Sequence, residues 1–236
     1  MALYGADILV ATRGSGIIRF DANLQQVAQY PIDPLDLHGI SVDIHGRVFV
    51  VETLHNRIGI YEIDPFRRVD EICISESLTD ENHVNDVQAI GNSLFVSMFT
   101  LSGAWRQKHL ANQWDGCIVE YDIIERLPVR TLHRNLRMPH SILYADDSIY
   151  YCESHALTVY RAGRTLCKFS GFTRGLARFD QYLLVGQSRM RAHWKPNRRT
   201  HASLDAGVHI LNLENLLSRF IPLPTAQVYD ILVMTP

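Results

Sequence analysis

Apolar and polar residues alternate with a period of two over short runs along most of this chain. Examples are DILVATR at 7–13, GISVDIHGRVFVVET at 39–53, DVQAIGNSLFVSMF at 86–99, SILYADDSIYYCES at 141–154 and GLARFDQYLLVGQS at 175–188. The runs are rich in Val, Ile, Leu, Tyr and Phe and are punctuated by Gly, Asn and Asp, with almost no helical period, so the pattern predicts an all-β protein. The last four runs share one layout: a polar residue, a strand, a tight turn (HG, GN, DD or DQ), and a second strand ending near a polar residue. Self-similarity of this kind marks a repeat architecture.

Aligning the turns places His38, Asn85, His140 and Arg174 at equivalent positions, and VYDILVM at 228–234 fits the same first strand with Tyr229 in that place. The equivalent positions recur at intervals of roughly 35–55 residues, which gives a single domain over 1–236 folded as a five-bladed β-propeller. A six-bladed ring requires a further repeat that the sequence does not show. Closure is expected from the termini, with Tyr229–Met234 pairing beside Asp7–Thr12 in one shared blade, which removes the exposed sheet edges. In a propeller blade the start of the first strand, the end of the second and the loop from second to third lie on one face. That connectivity gathers His38, Asn85, His140, Arg174 and Tyr229 around the mouth of a central channel, with Thr12, Glu52, Met98, Glu153 and Gln187 behind them. The two longest insertions, 100–115 and 188–205, fall on the same face.

Composition narrows the class. With 47% hydrophobic and 20% charged residues, the chain is too ordinary for a disordered, collagenous or disulfide-scaffold protein. A net charge of -2, from 23 basic and 25 acidic residues, supplies no global field toward nucleic acid or an anionic membrane. Four scattered cysteines without a CxxC pair read as thiols of a reducing compartment, so a cytoplasmic location is expected. No stretch approaches the ~18 apolar residues of a membrane span, and no basic segment precedes the short apolar run at the N-terminus.

The insertions carry the most suggestive chemistry. The first holds Trp105 and Trp114 among Arg106, Lys108 and His109; the second holds Arg189, Arg191, Trp194, Lys195, Arg198 and Arg199. Aromatic planes and guanidinium groups suit an anionic or planar ligand, and the plainer reading is a pair of solvated loops. His38, His140 and His83, converging with Asn85, Asp86, Glu52 or Glu153, make a divalent metal a candidate cofactor. No close-spaced ligand motif supports it, no metal ligand is assigned, and hydrogen bonding to channel water or backbone explains the same histidines. Without a metal, His140 or His38 serves as general base, with Arg174 stabilising negative charge and Tyr229 completing the catalytic set. Glu52 and Glu153 stand at equivalent strand ends, as paired carboxylates for acid–base work or as hydrogen-bonding strand ends. No GxSxG elbow, HExxH or Walker A motif occurs.

Particular residues carry a family likeness. HGISVDIHGRVFVVETLHNRIGIYEID at 38–64 resembles one blade of an NHL-type propeller. HVND (83–86), DGCIVEYD (115–122), MPHS (138–141), GFTRGLA (171–177), VGQSR (185–189) and VYDILVM, in that order, resemble the uncharacterised propellers of domain of unknown function 4915. The resemblance implies a propeller and no activity. A weaker likeness to gluconolactonase and strictosidine-synthase-type propellers implies a central site, but their acidic metal-ligand set is not recognisable here. The expectation is a small-molecule-binding propeller, acting on an anionic metabolite at the channel mouth by lyase, hydrolase or isomerase-type chemistry that is acid–base or metal-assisted. His38, His140, Arg174 and Tyr229 form its catalytic set. Asn85, Asp86, Glu52, Glu153, Gln187, Trp105, Trp114, Arg189, Arg191 and Trp194 form its binding set. The alternatives are a protein-interaction scaffold and, last, a single-stranded nucleic-acid binder through 188–205.

Overall fold

The computed structural model describes residues 1–33, 36–77, 79–105, 114–190 and 202–234. Five four-stranded antiparallel sheets follow one another in chain order, the blades of a five-bladed β-propeller. Blade I comprises β1 (Ala2–Tyr4), β2 (Asp7–Thr12), β3 (Gly16–Phe20) and β4 (Gln26–Tyr30). Blade II comprises β5 (Leu37–Val42), β6 (Val48–Glu52), β7 (Arg57–Ile63) and β8 (Phe66–Cys73). Blade III comprises β9 (Val84–Ile90), β10 (Ser93–Met98), β11 (Gly116–Asp122) and β12 (Pro128–Leu136). Blade IV comprises β13 (Pro139–Ala145), β14 (Ser148–Glu153), β15 (Thr158–Arg161) and β16 (Arg164–Lys168), and blade V comprises β17 (Phe172–Phe179), β18 (Tyr182–Ser188), β19 (Gly207–Asn212) and β20 (Ser218–Pro222). The chain divides into two compact units, Met1–Leu136 with blades I to III and Arg137–Pro236 with blades IV and V.

The expected tight turns form. Asp146 and Asp147 both take positive φ (50° and 52°) in the two-residue loop joining β13 to β14, and Gly91 (φ 58°) opens the loop joining β9 to β10. These are the backbone signs that match the twist of a hairpin. At the turn after β5, the Asp43 carboxylate accepts hydrogen bonds from the His45 and Arg47 amides at 2.9 Å each.

Blades pack face to face within each unit. In the first, Phe49, Val51 and Ile58 of blade II meet Val84, Leu94 and Val96 of blade III. In the second, Tyr150, Cys152 and Val159 of blade IV meet Leu176, Leu183 and Leu211 of blade V. A middle strand covered on both faces needs no alternation, and β6 (VFVVE) is buried at every position. Outer strands such as β8 keep charged residues toward solvent.

One hydroxyl motif repeats. Thr53 Oγ1, just after β6, donates to the Val84 carbonyl at 2.8 Å, and Ser154 Oγ, just after β14, donates to the Thr173 carbonyl at 2.5 Å. Ser188 Oγ, at the end of β18, donates to the Val228 carbonyl at 3.1 Å and accepts from the Val228 amide at 3.0 Å. The acceptors immediately precede Asn85, Arg174 and Tyr229, three of the aligned positions. Relative to blade V, the C-terminal segment therefore takes the place that a following blade's inner strand takes beside blades II and IV.

The expected closing strand is corrected. The strand beside β2 is β1, in register Ala2↔Leu9 to Tyr4↔Asp7, and no strand forms over 227–234. Gly5, with φ 61°, opens a two-residue hairpin loop there. A local hairpin costs far less chain entropy than bringing the two ends of the sequence together.

Candidate functional sites in the two units

The aligned residues share a local geometry. The register of the innermost strand pair shifts between Leu37 and Ile40, across from the junction of Val84 and Asp86, between His140 and Leu143, and between Arg174 and Leu176. His38, Asn85, His140 and Arg174 each sit at such a β-bulge, which bends the strand and re-aims the side chain.

In the first unit the bulge of β5 brings His38 to Asn85, with His38 Nδ1 3.2 Å from Asn85 Nδ2. Gly39 makes the approach feasible, since a Cβ there would stand 2.5 Å from Asp86 Oδ1 and 2.7 Å from Asp86 Cα. If the Asn85 amide donates to Nδ1, the His38 proton resides on Nε2, which faces Asp36 at 3.7 Å. The Asp36 carboxyl is held below its ordinary value, first by His38 and also by Arg13, whose Nε lies 3.2 Å away. Both His38 nitrogens are thus engaged.

The neighbouring His83 is built differently. Its Nδ1 lies 2.8 Å from Asp80 Oδ2, and its ring stacks on Trp105 at 4.9 Å, tilts against Phe99 at 4.4 Å and meets the His38 edge at 5.4 Å. Burial pushes the His83 imidazole below its ordinary value, and the Asp80 carboxylate opposes that shift. Trp105, at the start of the first insertion, therefore lies close to the β5 and β9 bulges, as the connectivity argument requires.

Glu52 has another occupation. Fully buried, it accepts from the Tyr61 hydroxyl and Arg57 Nε at 2.6 Å each, and Arg68 lies 3.4 Å away. The Tyr61 phenol is pushed up by its own burial and by this carboxylate. Asp86 takes a backbone role as well, its amide donating to Ser97 Oγ at 3.1 Å. Trp114 is half-buried beside Asp115.

In the second unit Arg174 is clamped. Its guanidinium carbon lies 4.8 Å from the Phe172 ring centroid and 4.6 Å from that of Tyr229, and the residue is 7% exposed. Gly175, with φ 70°, turns the chain at the bulge, and a Cβ there would lie 3.0 Å from Asp230 Cα. Tyr229 reaches Arg174 because Ser188 fixes Val228. His140 is buried, its ring 5.6 Å from Phe172. The Ser154 proton is committed to the Thr173 carbonyl, so His140 Nδ1–H is the donor toward Met138 O at 2.9 Å and Ser154 Oγ at 2.7 Å, leaving the lone pair on Nε2.

Glu153 accepts from the Arg137 amide at 3.0 Å and from the Tyr160 hydroxyl. Gln187 Oε1 accepts from His209 Nε2 at 3.0 Å while its amide nitrogen donates to the Asp205 carbonyl at 2.9 Å. Arg189 Nε donates to Leu204 O at 2.9 Å, across the base of the second insertion. Arg191 and Trp194 lie outside the described residues. Asp36 and Asp80 escaped the sequence reading, although the spacings D-x-H at 36–38 and D-x-x-H at 80–83 were available as signals. Among the described residues no group of three or more His, Cys, Asp or Glu side chains is arranged to hold a metal ion.

The model of the domain of unknown function DUF4915 matches residues 15–235. No curated protein sequence matches the chain. Among solved structures, the chain is similar to a gluconolactonase from Xanthomonas campestris, with 13% identity, TM-score 0.67, and coverage of 97% of this chain and 76% of that one. It is as similar to a chain of a nidogen/laminin complex, with 12% identity, TM-score 0.67, and coverage of 97% and 81%. A calcium-binding regucalcin from Agrobacterium tumefaciens follows, with 10% identity, TM-score 0.61, and coverage of 91% and 69%. At these identities the likeness carries the fold alone.

Proposed function

Because the chain belongs to the DUF4915 family, whose description carries no activity, we propose its function from its own residues: it binds an anionic small molecule through Arg174 and acts on it by acid–base chemistry. The carrying observation is the guanidinium held between Phe172 and Tyr229. Two rings fix the plane of the fork, so little side-chain freedom remains to be lost when a carboxylate or phosphate ester engages it in bidentate fashion. A largely buried guanidinium also keeps little hydration, which raises its gain from an anion.

His140, in the same unit, is the base of this reading. Its tautomer is set by Met138 and Ser154, which puts the lone pair on Nε2, a buried atom that ligand entry has to uncover before it can accept a proton. A gluconolactonase among the similar structures makes small sugar-acid derivatives and their lactones a sensible part of any ligand panel. The four cysteines are free thiols, which supports a cytoplasmic location, and among the described residues no helix is long and apolar enough to cross a membrane.

Calorimetric titration of a metabolite panel against the wild type and Arg174→Lys tests the reading. Lysine keeps the charge and loses the planar fork, so anion affinity is expected to fall at least tenfold, about 1.4 kcal/mol, while the melting temperature of the free protein changes little. Binding of neutral compounds only, or equal anion binding by the variant, overturns it. A scaffold reading has one observation in its favour: Leu216, Leu217, Ile221 and Leu223 are exposed along and beside the edge strand β20.

A further inference from the structure

The Asp80–His83 pair lies in the first unit and has no part in the anion reading. Four features of His83 converge. Asp80, 5% exposed at its side chain, accepts a hydrogen bond from Nδ1–H at 2.8 Å, which leaves the lone pair on Nε2. No described residue hydrogen-bonds Nε2, and the side chain keeps 18% of its surface open to solvent. The ring is held by Phe99 and Trp105 on its flanks and by the His38 edge. The backbone has φ 49°, a left-handed conformation that histidine adopts at a cost and that is over-represented at functional positions.

A residue that merely filled space needs none of this arrangement. A stacked aromatic would pack as well without a buried carboxylate beneath it. A buried carboxylate, in turn, is costly to desolvate unless a donor of fixed geometry meets it. An imidazole whose far nitrogen is bonded to a carboxylate, with its near nitrogen open, is the arrangement of a proton acceptor.

We propose that His83, oriented by Asp80, is a catalytic base of the first unit that takes the proton of a hydroxyl, from water or from a hydroxyl-bearing small molecule. In that step the O–H bond breaks, its electron pair stays on oxygen, and the proton forms the Nε2–H bond. The resulting imidazolium is neutralised by the Asp80 carboxylate. Low burial-depressed basicity keeps His83 neutral at physiological pH, the form that accepts a proton. Among the described residues, the charged or titratable groups facing it are Asp80, Asp36 and His38. Positioning falls to Asp80, and to Trp105 and Phe99, which hold the ring.

The probe is p-nitrophenyl acetate, whose hydrolysis an accessible neutral imidazole promotes. The full chain, His83→Asn and Asp80→Asn are compared; Asn is chosen at 83 because it tolerates the left-handed backbone. The expected result is a wild-type rate above that of free imidazole at equal concentration, rising with an apparent pKa below 6.5 and falling at least tenfold in both variants. A rate unchanged in either variant, or one that follows a group titrating above 7, overturns the proposal. If a variant fails to fold, carbethoxylation of the wild type by diethyl pyrocarbonate, mapped by peptide mass, decides. Modification of His83 at pH 7 supports an open Nε2, and its absence while His45 reacts overturns it. The anion reading stands or falls separately, on Arg174.

Discussion

Single atoms decide much of the geometry in this protein. Ser188 Oγ makes two bonds to Val228, and Val228 in turn presents Tyr229 to Arg174. Ser188→Ala leaves a buried carbonyl and amide without their partner, which costs about 1–3 kcal/mol. Thermal melting is expected to fall accordingly, and anion affinity is expected to fall with it because the second ring of the clamp loosens. Ser188→Thr keeps the hydroxyl and should restore both; failure of threonine to restore affinity would mean that Val228 is held by something else. The same logic explains why glycine stands at 186, where a Cβ would meet the Arg174 carbonyl at 2.1 Å and Val228 Cγ1 at 2.7 Å.

Among elements, the hairpins were readable from sequence because a period-two pattern and a Gly, Asn or Asp turn determine them locally. The bulges were partly readable: aligning His38, Asn85, His140 and Arg174 found the positions without showing that the ladder is interrupted at or directly after each. The C-terminal segment was misplaced for a physical reason. VYDILVM alternates as a strand does, but Met1–Tyr4 is too short for its own alternation to register, and it wins the edge of β2 through a local hairpin. His83 was read from the sequence but its partner Asp80 was not: the D-x-x-H spacing was there, yet the loop before β9 has no period to say that the two side chains face each other. The segment still matters to blade V. A chain ending at Ala226 loses the packing of Val228 and Asp230 against Gly186 and Gly175, along with both Ser188 bonds. A loss of about 2–4 kcal/mol is expected, to be measured as a drop in urea midpoint with near-unchanged far-ultraviolet circular dichroism. An unchanged midpoint would remove the segment from the fold's supports.

For the molecule as a whole, four imidazoles, those of His83, His133, His155 and His209, are each pushed below their ordinary value by burial. The unfolded chain then protonates first, near pH 6.5, and binds more protons than the folded chain between the two values. Their effect is nil above about pH 6.5 and becomes a growing loss of stability as pH falls through the folded values. Asp36, held low by His38, adds a second loss as pH falls below about 4. Urea midpoints at pH 7.5, 6.5, 5.5 and 4.5 should be flat between the first two and decline thereafter; a rise toward pH 5.5 would contradict the burial of these rings. The bulges bear on a longer timescale than any titration. A residue inside a regular ladder is policed by its cross-strand neighbour, so replacing it disturbs two strands at once, whereas a residue in or beside a bulge stands where that ladder is already broken: His38 and Asn85 are skipped by the register, and His140 and Arg174 are the last paired residues before the skip. The blades therefore offer positions where side-chain identity can differ, as it does between His38, Asn85, His140 and Arg174, while the sheet behind them keeps its register, so that new specificities can be tried on an old scaffold.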